Sequence, residues 1–178
     1  NSFALIETGE KLWRGEEPSP TRSSLLTRLS HGHIRIGNFQ RFAFFNDAES
    51  IAALARYCLQ HLLGEPLGDD AENAARLLDR TCPATATLAA SYVAAGFVHG
   101  VLNSDNINIT GESFDYGPCR FPPEWDDEFV PAYFDEVGLY AFGRQPEAIH
   151  WNLAQLAGCL AMVAEAPPLA DQLQASPQ

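Results

Sequence analysis

Eight residues separate Asn106 from Asp115, and they leave the backbone little choice. Ile107-Asn108-Ile109-Thr110 and Ser113-Phe114 flank Gly111-Glu112, a turn dipeptide, so the run reads as a tight hairpin. Closing it folds Asn106 and Asp115 back alongside each other. Two hard oxygen donors then share one position, which suits Mg²⁺ or Mn²⁺. Asn and Asp also serve turns by bonding backbone groups. The pairing therefore gains its meaning from the residues around it.

Those residues run His99-Gly100-Val101-Leu102-Asn103-Ser104-Asp105-Asn106, with Asp115-Tyr116-Gly117 beyond the hairpin. Kinase-type phosphotransferases use a His, a base Asp two residues on, and a metal-binding Asn five residues after that. An Asp-Phe-Gly-type aspartate completes the metal site. His99 and Asn106 keep this spacing, and Asp115-Tyr116-Gly117 fits the last slot. Val101 stands at the base position and cannot accept a proton. A carboxylate reappears at Asp105, beside the metal-binding amide. Phosphoryl transfer of the ordinary kind is disfavoured by that exchange alone.

A chain of 178 residues, 46% hydrophobic, can build one domain with a real core. Its net charge of -12 argues against nucleic acid or an anionic membrane as partner. No apolar run reaches the ~18 residues a membrane helix needs. Cys58, Cys82, Cys119 and Cys159 show no C-x-x-C spacing and read as buried thiols of a reducing, cytoplasmic setting. The Ala- and Arg-rich, Lys-poor composition points to a bacterial source. The single lysine, Lys11, lies in Glu7-Thr8-Gly9-Glu10-Lys11, which reads as a polar turn rather than a phosphate-gripping strand. No Gly-rich phosphate loop occurs. Since the chain opens on Asn, it is expected to be part of a larger protein, with the phosphate-gripping lobe upstream.

Residues 1–24 read as a loose segment, 25–165 as the core and 166–178 as a frayed tail, all within a single domain. Leu25–Leu29 reads as a short strand and Ile34–Phe39 as an alternating segment. Asp47 is suited to cap a helix over 48–63, with Ile51, Leu54, Cys58 and Leu62 on one face and Gly64 as its stop. A second helix is expected through the 70s and a third over 84–95, ended by Gly96. Pro146 opens a fourth, to about Ala164. Trp125 and Trp151 read as core residues. The acids from Glu124 to Glu128 read as a solvated face. The expected class is α+β, mostly helical, like the larger lobe (C-lobe) of a protein kinase, with a short metal-binding hairpin and the N-lobe largely missing.

The run Gly96-Phe97-Val98-His99-Gly100-Val101-Leu102-Asn103-Ser104-Asp105-Asn106 resembles the G-F-x-H-G-V-x-N-T-D-N signature of the selenoprotein O family. Asp115-Tyr116-Gly117-Pro118 resembles its D-Y-G-P, and Gln145-Pro146 with Trp151-Asn152-Leu153 a downstream Q-P…W-N-L block. Leu26-Thr27-Arg28-Leu29 and His33-Ile34-Arg35-Ile36-Gly37-Asn38-Phe39 resemble L-x-R-V and H-I-R-V-G-T-F upstream. The resemblance implies a kinase-like fold that transfers AMP, not phosphate, from ATP to hydroxyls of client proteins. It implies that the nucleotide binds in a flipped orientation. By position it makes Asp105 the catalytic base and Asn106 and Asp115 ligands of Mg²⁺ or Mn²⁺. Arg28 and Arg35 would contact the nucleotide phosphates, with Asp115 also at the nucleotide.

Turning ATP around brings its α-phosphate to the point of attack, so no base is needed at Val101. Ser104 replaces Thr, Gly32 replaces Ser and Arg144 replaces Asn in the family pattern; none removes an implied ligand. The family's Gly-rich loop, its phosphate lysine and that lysine's Glu partner find no counterpart here. Nor does its C-terminal region, where some members carry selenocysteine. His99 reads as structural, bonding its own loop, and His31 and His33 lack a third ligand. Two rival readings stand beside AMP transfer: a kinase moving the γ-phosphate to a protein or small molecule, and a catalytically dead nucleotide-binding module.

Overall fold

Helix boundaries follow the capping residues. In this computed structural model, which describes residues 2–13 and 19–163, Asp47 accepts a bond from the Ser50 N–H at 2.9 Å and starts α2, Ala48–Tyr57. Those bonds hold the Asp47 carboxyl below its ordinary pKa. Asp69 does the same for the Glu72 N–H and starts α3, Asp70–Ala95. Left-handed Gly96 ends α3, and left-handed Gly64 ends the turn of π-helix, Cys58–Leu63, that prolongs α2. Both stops require φ > 0, where a side chain is strained. α4, Gln145–Leu160, carries Pro146 in its first turn, where no helical N–H is lost.

The described residues form an α+β chain of four α-helices and a two-stranded antiparallel sheet. It divides into two compact units, Asn1–His31 and Gly32–Gln178. The first holds the sheet: β1, Ser2–Leu12, pairs with β2, Thr21–Arg28, with Leu5 opposite Leu26 and Ile6 opposite Leu25. The register shifts between Glu7 and Lys11, around left-handed Gly9.

In the second unit α1, Ile36–Phe44, packs on α2 and α4, and α3 packs on α2 and α4. Ile36, Phe39, Ile51, Leu77, Leu78, Leu153, Leu156 and Leu160 are buried between them. The segment 97–116 lays Leu102, Ile107 and Ile109 into the same core. Each such side chain contributes about 1.5–3 kcal/mol on burial, so the loop bearing the candidate site is tied to the helices by apolar packing.

Several expectations need correction. The segment Ile34–Phe39 is not a strand: Arg35 makes one bridge to Asn108 and α1 begins at Ile36. The helices expected through the 70s and over 84–95 are one helix of 26 residues that runs through Pro83. Much of the segment expected to be loose is β1, and Lys11 lies in that strand, not in a turn. Trp125 and Trp151 are 69% and 57% exposed, so neither is core. The frayed tail lies outside the described residues.

The thiols differ in the same way. Cys58 and Cys159 are buried, but Cys119 is exposed, at φ 55°. Burial pushes the Cys58 thiol up to about 12 and raises that of Cys159. A maleimide added to native protein is therefore expected to modify Cys119 and spare Cys58 and Cys159 until denaturant is present. Mass spectrometry after a brief exposure reads the outcome. Early labelling of Cys58 would contradict the packing of the π turn.

Candidate functional site

The loop from Phe97 to Asn106 is held from below by two buried amides of α4. Gln145 accepts a bond from the His99 N–H at 3.0 Å and donates to the Phe97 carbonyl at 2.9 Å. Asn152, seven residues on and on the same helix face, donates to the Leu102 carbonyl at 2.8 Å. From the side, the Ile36 and Gly37 N–H groups at the start of α1 donate to Ile107 and Ser104 carbonyls, at 3.1 and 2.9 Å. Val98 pairs with Arg120 in both directions, closing the loop against the segment after Asp115. Backbone groups that a buried loop must satisfy are thus met by side chains and helix ends rather than by a sheet.

The hairpin forms as the sequence predicts. Ile107 bridges Ser113, the Asn108 N–H donates to the Glu112 carbonyl, and the Phe114 N–H donates to the Asn106 carbonyl. Its tip, left-handed Gly111, lies so close to Ala84 of α3 that a Cβ there would meet the Ala84 backbone at 2.7 Å. The Thr81 hydroxyl donates to the Ile109 carbonyl as well as within its own helix. Tyr92 donates to the Ser113 hydroxyl, which in turn donates to the Asp115 carbonyl. α3 therefore sets where the hairpin, and Asp115 at its end, can stand.

This frame carries the candidate side chains of Asn106, Asp115, Arg35 and Asp105. Asn106 donates through Nδ2 to the Val101 carbonyl at 2.6 Å, which leaves its Oδ1 as the atom available to a cation. Asp115 is half-exposed, with Oδ1 accepting from the Gly117 N–H at 3.1 Å and lying 3.0 Å from His99 Nε2. His99 is fully buried and accepts from the Val101 N–H through Nδ1 at 3.2 Å. Burial pulls its pKa below the ordinary histidine value, against the opposing pull of the Asp115 charge. The neutral ring that accepts at Nδ1 carries its proton at Nε2, towards the carboxylate.

Arg35 completes the group. Its guanidinium lies 4.7 Å from the centre of the Phe114 ring and 3.7 Å from Asp105 Oδ1. The Asp105 side chain is 64% exposed. So open a pair contributes only about 0–1 kcal/mol to stability; its consequence is positional. The donor set fits a hard divalent cation: one amide oxygen and one carboxylate, with the remaining positions left to phosphate oxygens and water. Among the described residues no cluster of three or more His, Cys, Asp or Glu could hold a metal alone.

With that geometry in place, comparison with known proteins is decisive. A family model described as "Protein adenylyltransferase SelO" matches residues 1–176. The chain belongs to the SelO family. It is 48% identical over 171 residues to a protein named "Protein nucleotidyltransferase YdiU" from Synechococcus elongatus, covering 94% of this chain and 34% of the relative. Proteins of the same name from Synechocystis and Gloeobacter violaceus are 44% and 45% identical, over 97% and 96% of this chain. It covers 36% and 34% of those two relatives, so the chain spans about a third of their length. These relatives are bacterial. No helix among the described residues is long and apolar enough to cross a membrane.

In this SelO chain the second unit holds four of the five residues singled out by sequence: Arg35 pairs with Asp105, and Asn106 and Asp115 stand at the two ends of the hairpin. Arg28 ends β2 in the first unit, half-buried, and is described within that unit alone. His99 bonds its own loop through the Val101 N–H, with an added contact to Asp115. The concave surfaces around Trp125 and Phe142, and around Phe134 and Tyr140, include none of Arg35, Asp105, Asn106 and Asp115.

Gln145 and Asn152 had no assigned role in the sequence reading, although both lie in the Q-P…W-N-L block. Their signal was available: two amides seven apart on the apolar face of an amphipathic helix must find buried partners. Phe114, which stacks on Arg35, gave no signal beyond being aromatic.

Proposed function

We propose that this chain carries the metal-binding and proton-accepting part of a site that transfers AMP from ATP to a Ser, Thr or Tyr hydroxyl of a client protein. In this reading it is the C-lobe portion of a kinase-like domain. The observation that carries the proposal is the arrangement of one loop. Val101 occupies the usual base position and has its carbonyl engaged by Asn106. The exposed carboxylate is Asp105, with Arg35 at 3.7 Å.

Asp105 orients the attacking hydroxyl and takes its proton as the oxygen bonds to the α-phosphorus. The bond from that phosphorus to the bridging oxygen of the β-phosphate breaks, and pyrophosphate leaves. Arg35 and Arg28 each bind phosphate oxygens through a planar guanidinium fork. Asn106 Oδ1 and Asp115 would hold the divalent cation, which when bound neutralises charge on the phosphates and on the leaving pyrophosphate. His99 keeps Asp115 oriented from the buried side.

ATP labelled separately at the α- and γ-phosphates tests this directly. Label is expected on protein from the α position only, falling about 10²–10⁴-fold in Asp105→Ala, the usual contribution of a positioned general base. Protein label from the γ position alone would make the chain part of a kinase. Unchanged α-label in the variant would remove Asp105 from the chemistry.

A further inference from the structure

Gly37 sits in the first turn of α1, where nothing in its backbone calls for glycine: it is helical, and its φ is not positive. Glycine within a helix is less favourable than alanine. Its neighbourhood is unusual. A Cβ built there would lie 2.3 Å from Asp105 Oδ1 and 3.0 Å from Asp105 Cγ. The next nearest atom, the Ser104 carbonyl oxygen, is at 3.5 Å, an ordinary contact. The only object in the way of a methyl group is therefore the Asp105 carboxylate.

The surrounding contacts fix both partners. Gly37 donates its N–H to Ser104, immediately before Asp105, at 2.9 Å, so helix and loop cannot drift apart cheaply. The Asp105 N–H donates to Asn103 Oδ1 at 2.9 Å, which pins the backbone of the carboxylate itself. Arg35, two residues before Gly37, pairs with the same oxygen at 3.7 Å. Asp105 Oδ1 thus rests beside both the Arg35 guanidinium and the bare Cα of Gly37.

We propose that Gly37 is a positioning residue for transfer: by lacking a side chain it leaves the space in which the Asp105 carboxylate rests within reach of Arg35. The proposal rests on the reading of Asp105 as the base. Adding one methyl group at position 37 leaves the backbone bonds intact and forces the flexible Asp105 side chain into another rotamer, away from Arg35. Stability should not fall, since the displaced group is exposed and alanine favours the helix. Chemistry should fall, because displacement of a reacting group by about 1 Å can cost roughly a hundredfold in rate.

The test is Gly37→Ala, read three ways: melting temperature, a crystal structure, and steady-state AMP transfer from α-labelled ATP. The expected result is an unchanged or higher melting temperature and an Arg35–Asp105 separation beyond hydrogen-bonding and ion-pair range. kcat should fall by about ten- to a hundredfold, with KM for ATP changed less than about twofold. A carboxylate that stays in place beside the added methyl group overturns the proposal. So does one that moves while kcat is unchanged, and so does a loss of kcat matched by loss of fold. Failure of the AMP-transfer reading is seen separately, as absence of α-label on protein with the wild-type sequence. The rotamer of Asp105 in the variant crystal still decides whether Gly37 governs its position.

Discussion

Asp115→Asn is expected to abolish the rise in melting temperature that Mg²⁺-ATP or Mn²⁺-ATP gives the protein, while leaving the ligand-free melting temperature nearly unchanged. The reason lies in how the side chain is divided. Oδ1 is structural, accepting from Gly117 and facing His99 at 3.0 Å, and an amide oxygen can take over that work. The charge is what a divalent cation requires, and the amide lacks it. A ligand at a hundred times its Kd stabilises by about 2.7 kcal/mol, which for a chain of this size is roughly 5–10 °C. Asp115→Ala should lose the same shift and also lower the ligand-free value, because His99 and the Gly117 N–H lose their partner. Differential scanning fluorimetry with and without metal separates the two variants. A metal-dependent shift that survives in both would exclude Asp115 as a ligand.

The largest effect on folding is expected from Gln145→Leu. Gln145 is fully buried, and it is the sole side chain seen to accept from the His99 N–H and donate to the Phe97 carbonyl among the described bonds. Leucine fills nearly the same volume, so little cavity is left. What is lost is the partner of a buried donor and of a buried acceptor, each costing about 1–3 kcal/mol. A total of roughly 3–5 kcal/mol is a large share of the 5–15 kcal/mol that holds a typical domain together. Chemical denaturation should show a lower midpoint with an unchanged slope. Substitution of exposed His150, on the same helix, serves as the control and should move the midpoint little. A Gln145→Leu midpoint close to wild type would mean that the loop draws its position from apolar packing alone.

These two expectations also mark where sequence reasoning succeeded and where it stopped. The hairpin from Ile107 to Phe114 was legible because its information is local: alternation, a Gly at the tip and a short span. The caps at Asp47, Gly64 and Gly96 are local in the same sense, since each side chain or φ angle serves a group within its own turn. Asp105, Asn106 and Asp115 could be named as candidates because their spacing along a single loop is the pattern itself.

Other features depended on partners distant in the chain. Ile34–Phe39 alternates like a strand, yet Ile36 and Gly37 donate to a loop some seventy residues away and the segment turns helical there. Two helices were expected through the 70s and over 84–95, but α3 runs unbroken through Pro83, with Thr81 and Ala84 serving as the seat of the hairpin tip. Trp125 and Trp151 looked like core by composition and are exposed, because size and apolarity do not say which face of a segment turns inward.

The sequence by itself determined the local geometry of this SelO chain: a carboxylate next to a side-chain amide at Asp105 and Asn106, a hairpin that returns a second carboxylate at Asp115, and the helix ends that flank them. Only the tertiary structure decided which side chains act on that geometry. Gln145 and Asn152 hold the loop from α4, Phe114 carries Arg35 towards Asp105, and Gly37 leaves room for the carboxylate between them. The physical reason is the same in each case. A cap or turn satisfies hydrogen bonds within a few residues and so writes itself into local sequence. A buried polar contact or a steric vacancy is defined by its distant partner, and appears only when packing brings the two together.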